Sequence, residues 1–187
     1  MKKLNSYDFL MFPLEKALLA NVRKDIISQA QGKVLEIAFG TGVNMPYYNM
    51  DQISEIHALD ISETMSPFPS VQYHILSAET LPFPDESFDS VVLTLGLCTI
   101  PNPEHVIAEI YRVLKPDGAY YFLEHQQAQS KTISKFFNFL NPFWKKHMGG
   151  CQINLQSHML IAKKFNIDYN RRNIFYYGVA MKSYTSK

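Results

Sequence analysis

Apolar positions along this chain recur at two spacings that alternate from one end to the other. Residues 7 to about 30 place Leu14, Leu18, Val22 and Ile26 four apart, on one helical face, with Pro13 opening or kinking the segment and Gly32 as a stop. A short apolar run at about 33–38 predicts a first strand, followed by a glycine turn and a short helix limited by Pro46. The second strand is expected at about 55–59, and Ser62 has the character of a cap for a brief helical turn. VQYHIL (71–76) predicts a third strand and LPFPDESF a proline-punctuated loop. DSVVLTLGL (89–97) is almost continuously apolar, as in a strand buried on both faces of a parallel sheet. Residues 103–114 predict a helix with Val106, Ile107, Ile110 and Leu114 inward, and KPDG turns the chain into a fifth strand, AYYFLEH. After an aromatic-rich segment come a helix at about 153–165 and two strands near 167–175 and 177–184. Strands alternating with helices predict a doubly wound α/β sheet.

Composition narrows the class. With 187 residues, 47% of them hydrophobic and 19% charged, the chain is expected to form one globular domain spanning 1–187. A net charge of +1 gives no reason to expect a nucleic-acid partner. Cys98 and Cys151 read as two lone thiols, neither a disulfide framework nor a zinc cluster, so no metal site is expected and a reducing, cytoplasmic setting follows. The N-terminal lysines are followed by Asp8 and Glu15, which makes a poor signal peptide. No window reaches the roughly 18 apolar residues that span a bilayer.

The candidate chemistry sits in VLEIAFGTG, residues 34–42. A strand ending in Glu36 meets a turn carrying Gly40 and Gly42, where a backbone can approach a ligand closely. A second apolar run, IHALD, ends in Asp60, where an open α/β sheet places a carboxylate on a ribose. A dinucleotide fingerprint would need a third glycine at position 45, which holds Met45, and a P-loop would need a Lys-Ser or Lys-Thr that GTGVNM lacks. A carboxylate at the first turn repels a pyrophosphate and suits a cation. S-adenosylmethionine, with an ammonium, a sulfonium and no phosphate, meets these demands, and a nicotinamide oxidoreductase is disfavoured.

These motifs, together with SAETLPFPDESFDSVV at 77–92 and EIYRVLKPDGAYYFLEH at 109–125, resemble class I S-adenosylmethionine-dependent methyltransferases of the broad ubiquinone/menaquinone C-methyltransferase-like type. LGLCTIPNPEHVIAEIYRVLKPDGAYYFLEH, the GGCQIN stretch and the terminal YYGVAMK carry a more specific resemblance to small thiol S-methyltransferases. Those relatives have a hydrophobic N-terminal anchor, which is not expected here. The resemblance implies a Rossmann-like fold: a mostly parallel seven-stranded sheet with an antiparallel last strand and helices on both faces. It implies that Glu36 holds the methionine ammonium, and that Ala38, Gly40 and Gly42 form the turn under the methionine portion. Asp60 would bind the ribose hydroxyls, and Ile61 would lie on the adenine. Ser77, Ala78 and Glu79 would border the adenine, with Leu95 beside the sulfonium. The product would be S-adenosylhomocysteine. Three departures stand out: Ala38 replaces the usual glycine, Ser77 the usual Asp, and Pro67 and Pro69 shorten the helix after Asp60.

On the acceptor side, His125 after the fifth strand is the candidate catalytic base or substrate contact, and Glu124 either orients it or makes a structural pair. Cys98 and Cys151 have small buried hydrophobe as their default reading, and His147 and His158 surface or packing. Residues 1–30 are expected as a helical lid that includes Tyr7 and Asp8, and 126–152 as a substrate-side insertion. Within the latter, Phe136, Phe137, Phe139, Phe143 and Trp144 alternate with Lys131, Lys135, Lys145 and Lys146. Most of these aromatics read as packing on the sheet, some as lining the pocket; peripheral membrane contact is the second reading. The partner expected is a small-molecule acceptor, a small apolar thiol first, with a quinone precursor or amino-lipid as runner-up. A non-catalytic module that only binds the cofactor is the third reading.

Overall fold

The computed structural model describes residues 19–62, 68–125, 131–147 and 150–182, and within these leaves aside the side chains of 131–134, Phe136 and His147. Most of the expected N-terminal lid, Tyr7 and Asp8 included, therefore lies outside the described residues. The elements are α1 (Ala20–Ile27), β1 (Gly32–Ile37), β2 (Ile53–Asp60), β3 (Val71–Ile75), β4 (Phe88–Thr94), α2 (Pro103–Val113), β5 (Leu114–His125), α3 (Lys131–His147), α4 (Ser157–Ala162), β6 (Phe165–Arg172) and β7 (Phe175–Lys182). They build one seven-stranded sheet in the order β3-β2-β1-β4-β5-β7-β6. β1 to β5 pair in parallel, and β7 lies antiparallel between β5 and β6. This is the expected doubly wound, Rossmann-like sheet.

The alternation of side chains along β1 explains the two layers. Leu35 and Ile37 face one side, where they join Val91 and Leu93 under Val106, Ile107 and Ile110 of α2 and Ile161 of α4. Val34 faces the other side with Ile56, Ala58 and Val92, beneath Val22, Ile26 and Ile27 of α1. Each such buried aliphatic contributes about 1.5–3 kcal/mol. α2 ends at Val113, one residue early, because Leu114 is already extended and paired with Phe88 of β4. The KPDG turn survives as an interruption within β5: Phe88 pairs with Leu114, and the next partners are Ser90 and Ala119.

Several expected boundaries are corrected. The short helix before Pro46 is replaced by two 3-10 turns, Met45–Tyr47 and Met50–Gln52, because Asn44 and Tyr48 are drawn inward onto Glu36. β4 stops at Thr94 rather than 97, since Leu95 takes a left-handed φ of 53° and Gly96 enters a 3-10 turn. The helix at 153–165 shrinks to α4, because Ile153 N and Asn154 Nδ2 donate to Asn141 and Asn138 of α3. The final hairpin turns at Asn173, whose φ of 58° suits asparagine, three residues earlier than expected. The aromatic segment is the long helix α3, and its packing reading is overturned for two residues: Phe139 is 80% exposed and Phe143 67%. No helix among the described residues is long and apolar enough to cross a membrane.

Candidate functional site

β1 has β2 on one side and β4 on the other, so the connections leaving the carboxyl ends of β1 and β4 diverge and open a crevice. The turn after β1 forms its floor. Ala38, Gly40 and Gly42 all have positive φ, at 57°, 55° and 76°. Glycine adopts this conformation freely, whereas it costs alanine about 1–2 kcal/mol, so Ala38 is a strained residue in the motif. Gly40 N donates to Asp60 Oδ2 at 2.8 Å and Ser62 N to Asp60 Oδ1 at 2.9 Å. Asp60 thus clamps the turn to the end of β2, and each carboxylate oxygen keeps a second lone-pair direction for a ligand. A side chain built on Gly40 would meet nothing closer than Ala38 O at 4.0 Å, so the space above the turn is open. Ile61, next in the chain after Asp60, is 80% exposed, an apolar side chain left open to solvent. Gly42 is by contrast packed shut, since a Cβ there would lie 2.6 Å from the Phe68 ring.

Glu36 lies beneath this floor. Its Oε1 accepts from Asn44 Nδ2 at 2.9 Å and its Oε2 from the Tyr48 hydroxyl at 2.7 Å, and the residue is buried. Arg23 from α1 donates to Asn44 Oδ1 at 2.6 Å and to Thr94 Oγ1 at 2.8 Å, extending the network to β4. Burial raises the Glu36 pKa to about 7, against the lowering effect of the Tyr48 and Asn44 hydrogen bonds and of Arg23. The structure leaves Glu36 no exposed oxygen to offer an ammonium directly. Its influence on a cation above it is through charge and through Asn44 and Tyr48. Neither Arg23, Asn44 nor Tyr48 carries a motif spacing that would have singled it out.

The third edge of the crevice follows β3. Ser77 is exposed, with Oγ accepting from Glu79 N at 3.2 Å, and Ala78 is buried. Glu79 Oε1 accepts from Asn102 N and Nδ2, tying this loop to the start of α2. Leu95 is half-buried at the end of β4, its N donating to Leu123 O at 2.7 Å. The structure thus joins Gly40 to Asp60 and places Leu95 and the 77–79 loop after the carboxyl ends of β4 and β3, with Glu36 buried rather than exposed. The open turn, the accepting lone pairs of Asp60 and the exposed Ile61 fit an adenosine-bearing cation.

The ends of β4 and β5 hold what the sequence reading missed. Cys98 Sγ and Cys151 Sγ lie 3.5 Å apart, and His125 Nε2 is 3.1 Å from Cys151 Sγ. The two cysteines, read as separate buried hydrophobes, are partners. His125 does not stand free as a base; its Nε2 is committed to a thiol. Gln152 N donates to Cys98 O at 2.9 Å and brings the loop after α3 onto the end of β4. Glu124 Oε1 accepts from Gly96 N and Leu97 N, which sets the turn that carries Cys98. Glu124 Oε2 is buried with no partner among the described residues, and burial lifts this carboxyl to about 7. The Cys98 hydrogen bond, helped by that from His125, holds Cys151 well below a normal thiol despite its burial, and Cys98 is pushed up as the donor. For His125 burial works against charge, but the Cys151 hydrogen bond and the Cys151 and Glu124 charges outweigh it and raise the ring's pKa. His158, by contrast, stacks on Tyr176 as a packing residue.

Comparison with known proteins bears on this geometry. The methyltransferase domain model matches residues 35–122. The chain is 28% identical over 164 residues to the human thiol S-methyltransferase TMT1A, covering 81% of this chain and 66% of that protein. It is 32% identical over 120 residues to the ubiquinone/menaquinone biosynthesis C-methyltransferase UbiE of Psychromonas ingrahamii, covering 57% of this chain and 48% of the relative. A solved S-adenosylmethionine-dependent methyltransferase from Methanosarcina mazei superposes with a TM-score of 0.63 at 21% identity, over 82% of this chain and 93% of that one. The chain thus spans between about half and two thirds of the length of these two curated relatives.

Proposed function

Because the chain belongs to the class I S-adenosylmethionine-dependent methyltransferases, we propose that it transfers a methyl group to a small apolar acceptor, a thiol first. The observation that carries the cofactor half is the Asp60 clamp on an open, left-handed glycine turn at the switch point of the sheet. Asp60 would take the ribose hydroxyls, and Ile61 the adenine face. Ser77, Ala78 and Glu79 would line the adenine edge. The backbone at Ala38, Gly40 and Gly42 would underlie the methionine portion, with Glu36 supplying negative charge from below and Leu95 walling the methyl-bearing end. When bound, the cofactor supplies an already activated methyl group. The chain's work is then to orient the acceptor in line and to exclude water.

The thiol reading draws support from the similarity to the human thiol S-methyltransferase and from an acceptor end lined by Cys98, His125 and Cys151. A thiol ionises with little help, so an acceptor of this kind needs no free base at His125. His125 acts here through the sulfur cluster it belongs to.

The test is a panel of alkyl and aryl thiols, phenols, quinone precursors and amino-lipids, with S-adenosylhomocysteine release as the readout. Thiols are expected to turn over best, with Asp60→Ala abolishing cofactor binding. A quinone precursor as the preferred acceptor would overturn the thiol assignment. Cofactor binding without turnover of any class would make the chain a binding module.

A further inference from the structure

We propose that Cys98, His125 and Cys151 form a binding site for a soft divalent cation, zinc above all. Their donor atoms all lie within 4.8 Å of one another, with one thiol–thiol edge of 3.5 Å and one thiol–imidazole edge of 3.1 Å. Metal–ligand lengths of about 2.3 Å to sulfur and about 2.0 Å to nitrogen put tetrahedral donors roughly 3.5–3.8 Å apart, so the two short edges need open by only a few tenths of an ångström and the Cys98–His125 edge close by no more than about 1 Å. Two thiolates and an imidazole suit zinc chemically. Three protein ligands with a vacant fourth position are the pattern of a metal that handles a substrate, whereas a structural zinc has four.

Three independent features hold the donors in place. The turn bearing Cys98 is fixed by Glu124 through Gly96 N and Leu97 N. The loop bearing Cys151 is anchored by Gln152 N on Cys98 O and by Gly150 N on Lys145 O. His125 ends β5, paired with Phe175 of β7. The surroundings also hold a spare acceptor and a donor turned to the sulfur. Among the described residues, Glu124 Oε2 is buried without a partner near His125, and the buried Trp144 indole N–H lies on the Cys151 side and helps hold that thiol down. No Cys-x-x-Cys spacing announces the site; the ligands come from the ends of β4 and β5 and the loop after α3, and only the fold joins them.

Zinc would enter with release of two protons, one from Cys98 and one held by the Cys151–His125 pair, to leave two thiolates and a neutral imidazole. Resting on the methyl-transfer reading above, the fourth position would take the acceptor sulfur as a thiolate, which makes the metal the agent that ionises the acceptor.

The test uses the untagged full chain, reduced and stripped of metal, with Co2+ and Zn2+ as probes and neither cofactor nor acceptor present. One equivalent of Co2+ is expected to give a thiolate-to-cobalt charge-transfer band and tetrahedral d–d bands, both lost on adding Zn2+. The chain contains only two cysteines, so such a band reports on Cys98 and Cys151 alone. His125→Ala should weaken Co2+ binding by more than the roughly 10–100-fold that loss of a contact supporting a ligand costs. Because variants can misfold, iodoacetamide labelling of the unaltered chain gives a second reading: Zn2+ should protect Cys98 and Cys151 together. A cobalt spectrum without thiolate character, or zinc that protects neither cysteine, overturns the site. Neither result depends on methyl transfer, so a failure of the acceptor panel and a failure of the metal site are distinguishable.

Discussion

Replacing Gly96 with alanine probes the contact between the two turns that flank the crevice. The backbone at Gly96, φ −110° and ψ −34°, accepts any residue, so the substitution adds no torsional strain. The new Cβ would lie 2.6 Å from the Ala38 Cβ and 3.4 Å from Leu93 Cδ2. Carbon atoms in contact prefer about 3.5–4.0 Å, so the overlap with Ala38 is roughly 1 Å, in a place where both turns are pinned by hydrogen bonds. Overpacking of this kind costs about 1–3 kcal/mol. The smaller unfolded-state entropy of alanine returns about 0.4–1 kcal/mol, which leaves a net loss of about 1–2 kcal/mol. Ala38→Gly relieves a left-handed alanine, a gain of about 1–2 kcal/mol, and gives back most of it through a lost methyl and a floppier unfolded chain. In the Ala38→Gly background the added methyl at position 96 has room, and Gly96→Ala should become neutral or mildly stabilising. Urea unfolding of the four chains gives the coupling energy, expected at about 1–3 kcal/mol. Additivity within about 0.5 kcal/mol would refute the contact between the two turns.

Asp60→Asn keeps an acceptor for Gly40 N but loses the charge, and should weaken S-adenosylmethionine binding roughly 10- to 100-fold by calorimetry, the value of charge-assisted hydrogen bonds of about 1.5–3 kcal/mol. Glu36 titrates near 4.5 when unfolded and near 7 when folded, so the folded state holds the extra proton between those values. Stability relative to Glu36→Gln should therefore fall as pH rises from about 4.5 to about 7, by up to about 3 kcal/mol in urea midpoints; a difference flat with pH would remove the buried carboxyl from the account. A cation bound above Glu36 favours its ionised form, so cofactor binding near pH 7 should release protons, seen as a buffer-dependent enthalpy that Glu36→Gln abolishes. On α3, Phe139 and Phe143 are exposed between the exposed Lys135 and Lys146, all within about 40° of one helical stripe at 100° per residue. Flotation with anionic vesicles should carry the chain upward at low salt, and Phe139→Ser with Phe143→Ser should abolish it; equal binding to neutral vesicles would contradict a charge-assisted contact.

Much of the sheet was readable because its signals are local. A continuous apolar run such as VVLTL fits a strand covered on both faces, and α2 shows its buried stripe at helical spacing. Errors fell where one side chain captures another segment's backbone. Glu124 takes the amides of Gly96 and Leu97 past the end of β4, and Asn141 takes the Ile153 amide, with Asn138 accepting from the Asn154 side chain, ahead of α4. Such captures join residues up to 28 positions apart and leave no periodicity to detect.

The site divides along the same line. Gly40 and Asp60 could be paired from the sequence because a turn and a neighbouring strand end impose a fixed spacing, and the structure joins them by a hydrogen bond. Cys98, His125 and Cys151 were not grouped, since they come from three elements whose meeting depends on β4 and β5 being neighbours and on the loop after α3 returning to them. Each taken singly is ordinary: a buried thiol is usually a small hydrophobe, and a histidine after a strand usually a hydrogen-bond donor. With Cys98 3.5 Å and His125 3.1 Å from Cys151, they form the cluster proposed above as a ligand set. That step depends on long-range pairing, so chemistry built across strand ends is legible only once the strand order is known.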